Sequence, residues 1–344
     1  MKLILIITIS IRKGGTKLKN PVLIGSFFCF IAAVSWGAMF PVAHSAFQYI
    51  DPFYFTIFRY GAVSIILAGI LFWKEGKEAF RFEGKGRRLW FFGTMAFTVY
   101  NLFIFWGEDL LGHHGVLVAS IMESLMPMIS IVIYWTFFKK PPFPFTLACV
   151  LFSFAGAVLV ITEGKIDAFF SAAGNVIPTL LILIAVVGWV IYTMGGSEFQ
   201  GWSALRYSTI SCLLGTFTAL IITLVATVFG YLDVPSKSGL IAAAPHLLFM
   251  IVFPGIIALI GWNVGVSLLS PVNGLLFINF VPITTLFISF LQGRQHTVFD
   301  AIGTVLIITA LISNNLFIRF MEKRMPDMAE EQLQDGPVCI ETTD

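Results

Sequence analysis

The sequence predicts an all-α integral membrane protein whose ten transmembrane helices form two inverted five-helix repeats. Three observations lead there. Hydrophobic residues make up 58% of the 344-residue chain and charged residues only 12%, against about 25% charged in a soluble domain. The apolar residues fall into continuous runs near the length of about 20 that a helix needs to cross a bilayer. Polar and proline landmarks also recur in the same order in the two halves. Runs without strict alternation argue against membrane strands.

The elements follow in chain order. Residues 1–21 hold "LILIITIS", too short to span, followed by the basic "RKGGTKLKN". This segment resembles a weak signal peptide without a small-residue cleavage site, and reads as an uncleaved cytoplasmic leader or the product of an upstream start codon. Spans are expected at 22–44, 53–73, 89–107, 115–138 and 145–162, which make up a first repeat over 22–163. The second repeat, 174–320, is expected to hold spans at 175–194, 206–231, 246–268, 272–291 and 299–320. The segment 325–344 is acidic and reads as a disordered cytoplasmic tail.

Lys and Arg set the orientation. With the N-terminus inside, the cytoplasmic side receives nearly all of them, and only Lys165, Lys237 and Arg294 face outward. Both termini are therefore expected in the cytoplasm, in the plasma membrane. The net charge of +2 is too small to suggest nucleic acid as a partner. The four cysteines show no CxxC or Cys/His spacing, so neither a disulfide framework nor a metal is indicated. "GEDLLGHHG" at 107–115 spaces Asp109 and His113 four apart, but its glycines favour a polar outer loop. No cofactor-binding or catalytic motif appears.

The halves echo each other. "FRYGAVSIIL" at 58–67 aligns with "LRYSTISCLL" at 205–214. Trp106 precedes Pro127 much as Trp262 precedes Pro282. Five helices per copy is an odd number, so the second copy enters the membrane upside down, as in many alternating-access transporters. The run Trp262-Asn263-x-Gly265, then Pro271, then Phe277-x-Asn279-x-x-Pro282 resembles the EamA-type repeat of the drug/metabolite transporter superfamily. Weaker traces in the first half are Trp36-Gly37 with Phe40, Arg59 and Pro127. The resemblance covers about residues 22–320. It implies a secondary transporter of a small organic solute, an amino acid or other metabolite, moved outward across the membrane. The first repeat departs from the pattern, with Trp106-Gly107-Glu108 and Glu123-Ser124 where the second has Trp-Asn-x-Gly and Ile278-Asn279.

The polar residues inside spans are the candidate site. Prolines 127 and 282 free the carbonyls of Glu123 and Ile278, and these need new partners in hydrocarbon. Asn279 is placed either to serve that kink or to line a cavity, and the same choice holds for Asn263. Glu123 lies about 12 Å into its span at 1.5 Å per residue, where a charge costs about 2.5–3.5 kcal/mol on insertion scales. Glu123 is a candidate for holding a solute's amino group or for carrying a coupling proton; the alternative is a protonated carboxyl bonded to a neighbouring serine or backbone carbonyl. It shares a helix face with Ser120, Ser124 and Pro127. Arg59 has three readings: snorkelling to headgroups, pairing with Glu123, or holding a carboxylate. Arg206, its repeat partner, is expected to anchor at the cytoplasmic edge. Trp36, Tyr100, Asn101, Trp189, Tyr192 and Trp262 complete the cavity-lining candidates, and Asn273 reads as a turn residue. The expected partners are a small-molecule solute, membrane lipid and coupling protons. The rival readings are an integral-membrane enzyme acting on a lipid or isoprenoid substrate, and an assembly subunit without transport.

Overall fold

The computed structural model describes residues 21–112, 115–138, 143–162, 176–293 and 297–324. The leader upstream of Pro21, both histidines of the 107–115 cluster and the acidic tail lie outside these residues. Among the described residues every regular element is helical. The first five helical segments are α1 (Pro21–Phe47), α2 (Pro52–Glu75), α3 (Gly86–Leu110), α4 (Gly115–Met122 continued by Met126–Phe138) and α5 (Pro144–Thr162). The rest are α6 (Val176–Gly195), α7 (Ala204–Val228), α8 (Lys237–Leu269), α9 (Pro271–Leu291) and α10 (Val298–Arg324). Eight of these are long and apolar enough to cross a membrane. In α5 and α10 the apolar stretches are shorter, at Pro144–Gly156 and Ala301–Asn314.

Local chemistry sets the ends. Asp51 caps α2 by accepting from the Phe53 amide at 2.7 Å, with Pro52 at the first helical position. Ser203 and Ser236 cap α7 and α8 in the same way. The Ser236 cap corrects the expected start of the eighth span. The helix begins at Lys237, not residue 246, and carries Pro245 inside it. At 33 residues α8 is about 50 Å long, so it extends well past 30 Å of hydrocarbon. A second correction concerns Glu108 and Asp109. They belong to the last turns of α3 rather than to a loop, and Glu108 is fully buried. Asn273 likewise lies in the first turn of α9, donating to the Leu269 carbonyl at 3.0 Å.

Two irregularities recur in both halves. A π-helical turn interrupts α3 at Met95–Tyr100 and α8 at Ile251–Ile257. A 3-10 turn interrupts α4 at Glu123–Leu125 and α9 at Leu276–Asn279, just ahead of Pro127 and Pro282. The tightened turn itself takes up the carbonyls that the prolines release. The Met126 amide bonds Glu123 O, and the Phe280 amide bonds Ile278 O. No side-chain amide is needed for that purpose.

Packing follows a matching order. α1 lies against α8 and α9, while α6 lies against α3 and α4; α2 pairs with α7, and α5 with α10. The echoed segments of α2 and α7 thus face each other, with Ser64 Oγ 3.3 Å from Cys212 Sγ. Small residues let the backbones approach. A β-carbon at Gly93 of α3 would lie 2.3 Å from the Ser211 carbonyl oxygen, and one at Gly156 of α5 would lie 2.6 Å from that of Gly303 in α10. Exposed Leu, Ile, Phe and Val side chains cover the outer surface, the pattern of a bundle solvated by lipid rather than water.

Candidate functional site

Three tryptophans meet at the centre of the bundle. Trp36 of α1 packs edge-on against Trp189 of α6 at 5.0 Å and against Trp262 of α8 at 5.1 Å between ring centroids. Tyr100 and Tyr192 flank Trp189 at 5.0 and 5.3 Å. Trp36 Nε1 donates to the Pro254 carbonyl at 3.2 Å and Trp262 Nε1 to Thr193 Oγ1 at 3.2 Å. The Trp189 Nε1 is buried without a hydrogen-bond partner among the described residues. Trp36 and Trp189, both cavity-lining candidates on the sequence, are therefore neighbours in the core.

The second half surrounds this cluster with satisfied neutral groups. Asn263 Nδ2 contacts Tyr192 Oη at 3.0 Å, Ser208 Oγ at 2.9 Å and the Leu259 carbonyl at 3.1 Å. Tyr207 Oη donates to the Tyr192 carbonyl at 2.9 Å, and the two rings stack. The sequence reading missed Ser208 and Thr193. Their signal was a hydroxyl deep in an apolar helix, which is too common to stand out alone.

The first half is different. Arg59 is 0% exposed, so it does not snorkel. Its Nη1 reaches only Met39 Sδ at 3.4 Å and Asn101 Oδ1 at 3.5 Å, while Nε and Nη2 have no partner. The guanidinium sits 4.5 Å from the Tyr60 ring centroid and 5.8 Å from that of Phe105, a cation–π setting. Asn101 is turned to this task because its Nδ2 is held by the Ala96 carbonyl at 2.7 Å across the π turn. Glu123 is 1% exposed. Tyr100 Oη donates to its Oε1, and its Oε2 has no partner. The Arg59–Glu123 pair, one of the three readings, does not form: Arg59 is met by Asn101 and Glu123 by the adjacent Tyr100. Asn279 is 3% exposed. It lines a small cavity at the α4–α9 kinks together with Pro127, and its Oδ1 is unpartnered.

Arg206 is not a lipid anchor. Its Nη2 donates to the Arg81 carbonyl at 2.6 Å and to Glu83 Oε1 at 2.7 Å, and its guanidinium lies 3.8 Å from the Trp202 ring centroid. Trp202 Nε1 donates to Glu83 Oε2 at 2.8 Å. Glu83 is held at φ 50°, the left-handed region that non-glycine residues rarely occupy. The hydrogen bonds from Trp202 and Arg206 keep the Glu83 carboxyl below its ordinary range. Lys85 Nζ reaches the Glu198 carbonyl at 3.0 Å and Arg88 the Glu198 carboxylate at 3.1 Å. This network fastens the α2–α3 connection to the α6–α7 connection.

A multi-pass helical bundle with broken helices and buried, partly unpaired charges at its centre defines a membrane transport protein as a class. The chain belongs to the EamA-like transporter family, whose model matches residues 23–162 and again 176–316. It is 50% identical over 301 residues to "Uncharacterized transporter YrdR" of Bacillus subtilis (strain 168), covering 88% of this chain and 94% of that one. "Uncharacterized transporter YyaM" of the same organism is 24% identical over 286 residues, covering 82% and 90%. A protein of known crystal structure superposes with a TM-score of 0.68 at 18% identity, over 89% of this chain and 100% of that one, a likeness of fold alone. Family and relatives alike point to transport rather than catalysis.

Proposed function

We propose that the protein is a secondary transporter that exports a small organic solute carrying a carboxylate, such as an amino acid, across the plasma membrane. In this reading all ten helices span, both termini are cytoplasmic, and the two five-helix halves are inverted about an axis in the membrane plane. The paired π and 3-10 turns and the exchangeable packing of the halves support that symmetry. The observation that carries the solute reading is Arg59. A buried cation with two unpartnered nitrogens in hydrocarbon is costly, and an anionic ligand group would relieve that cost through a bidentate pair. Glu123, beyond Tyr100, offers a carboxylate oxygen to an ammonium group or carries a proton during the cycle. Trp36, Trp189 and Trp262 form the apolar wall between which a solute passes.

Flux of a panel of radiolabelled metabolites in proteoliposomes tests this. Carboxylate-bearing solutes are expected to move, and their amides or esters are not. Equal flux of an acid and its amide, or undiminished flux by an Arg59→Met variant, would overturn the assignment.

A further inference from the structure

Four buried polar side chains share one small cavity. Ser124 of α4, Ser153 of α5, Asn279 of α9 and Asn314 of α10 line one small cavity, each from a different helix. They are 4%, 6%, 3% and 2% exposed. Ser124 Oγ, Ser153 Oγ, Asn279 Oδ1 and Asn314 Oδ1 all lack a hydrogen-bond partner among the described residues. A buried polar atom left unpaired costs on the order of 1–3 kcal/mol, and in hydrocarbon no lipid group can take its place. Four such atoms around one cavity indicate a ligand taken from solution.

We propose that these four oxygens bind a single sodium ion. All four are hard oxygen donors of the kind that alkali and alkaline-earth cations select. The rest of the lining carries no charged side chain, so it lacks the carboxylates that a divalent ion would want. The cavity has room for one particle about the size of a water molecule, which favours sodium over the larger potassium. The two halves contribute two ligands each, at the place where the 3-10 turns of α4 and α9 touch. Bound sodium would therefore tie the kinks of the two halves together, at a site separate from the tryptophan cluster. Asn279 belongs to this site and not to the solute.

The test is thermal unfolding of the purified full chain in detergent, in sodium, potassium or choline chloride at constant ionic strength and with no solute added. It is thus independent of which solute is carried, and flux assays with and without sodium fail or succeed separately. A saturable rise in midpoint of several degrees in sodium alone is expected, with radioactive sodium binding at one ion per chain. Asn314→Ser and Ser153→Ala should each raise the half-saturating sodium concentration at least tenfold. If the Asn314 variant does not fold, the loss of one hydroxyl in Ser153→Ala carries the test. Identical midpoints in the three salts would mean that the cavity holds only water and would overturn the proposal. So would a sodium response unchanged in the folded variants.

Discussion

Around Asn263 in the second half, one side-chain amide meets three acceptors, and the neighbouring tyrosines are bonded and stacked. Around Arg59 and Glu123 in the first half, two ionisable side chains are buried with atoms that have no partner among the described residues, and they do not meet each other. The two regions face the same tryptophan cluster. A fully bonded network adds rigidity and gives up nothing when a solute arrives. A partly bonded one keeps interactions in reserve for the solute. Under the proposed function the first half would supply the recognition and the second half a bonded frame for it, a comparison that can be broken from either side.

The largest effect is expected at Arg59. Arg59→Met should lower flux thirtyfold or more, in line with the about 2–5 kcal/mol typical of truncating one partner of a buried charge pair. The same change should leave thermal stability equal or higher, because it removes a buried charge that has no ion partner. A fall in stability with flux retained would reverse the roles of the two halves. Next comes Glu123→Gln, expected to lower flux about tenfold or more and to flatten its dependence on pH, with the helical circular dichroism intact. Normal, pH-sensitive flux by that variant would remove Glu123 from the mechanism.

Asn263→Ala should behave oppositely to Arg59→Met. It removes the Asn263 contacts of Tyr192 and Ser208, so stability falls by about 1–2 kcal/mol; bonds between membrane helices average about 0.6 kcal/mol each. Affinity for the solute, read in the protein that still folds, should move little. The smallest effect is expected at the connection network. Glu83 has a depressed folded-state pKa, so its stabilisation is present above the ordinary glutamate value of about 4.3. It is lost as pH falls from there through the lower folded value. Glu83→Gln should weaken the tie at neutral pH, seen as faster hydrogen exchange in residues 76–88, and should remove that acid-dependent loss.

The helices were legible because their signal is a sum over about 20 residues, which no single side chain can spoil. Proline landmarks located both kinks, since a missing amide acts on its own helix. The start of α8 was misplaced because Ser236-Lys237 is a cap followed by a charge, and hydropathy alone does not see caps. Glu108 and Asp109 were misassigned for the same reason, as two adjacent acids read as loop. For Arg59, three partners were equally compatible with the sequence. Its depth and the turn of Asn101 across the π segment decided against two of them. Ser153 and Asn314 carried no signal at all. A serine among small residues reads as packing, and the asparagine reads as one polar residue in an apolar run.

Composition, helix positions and the duplication were thus fixed by the order of residues, because insertion into lipid depends on hydropathy along the chain. Which polar atoms are bonded and which are left open was decided only when the helices packed, because partners such as Asn263 and Ser208, or Ser124 and Asn314, lie far apart in the chain and meet only through tertiary contact.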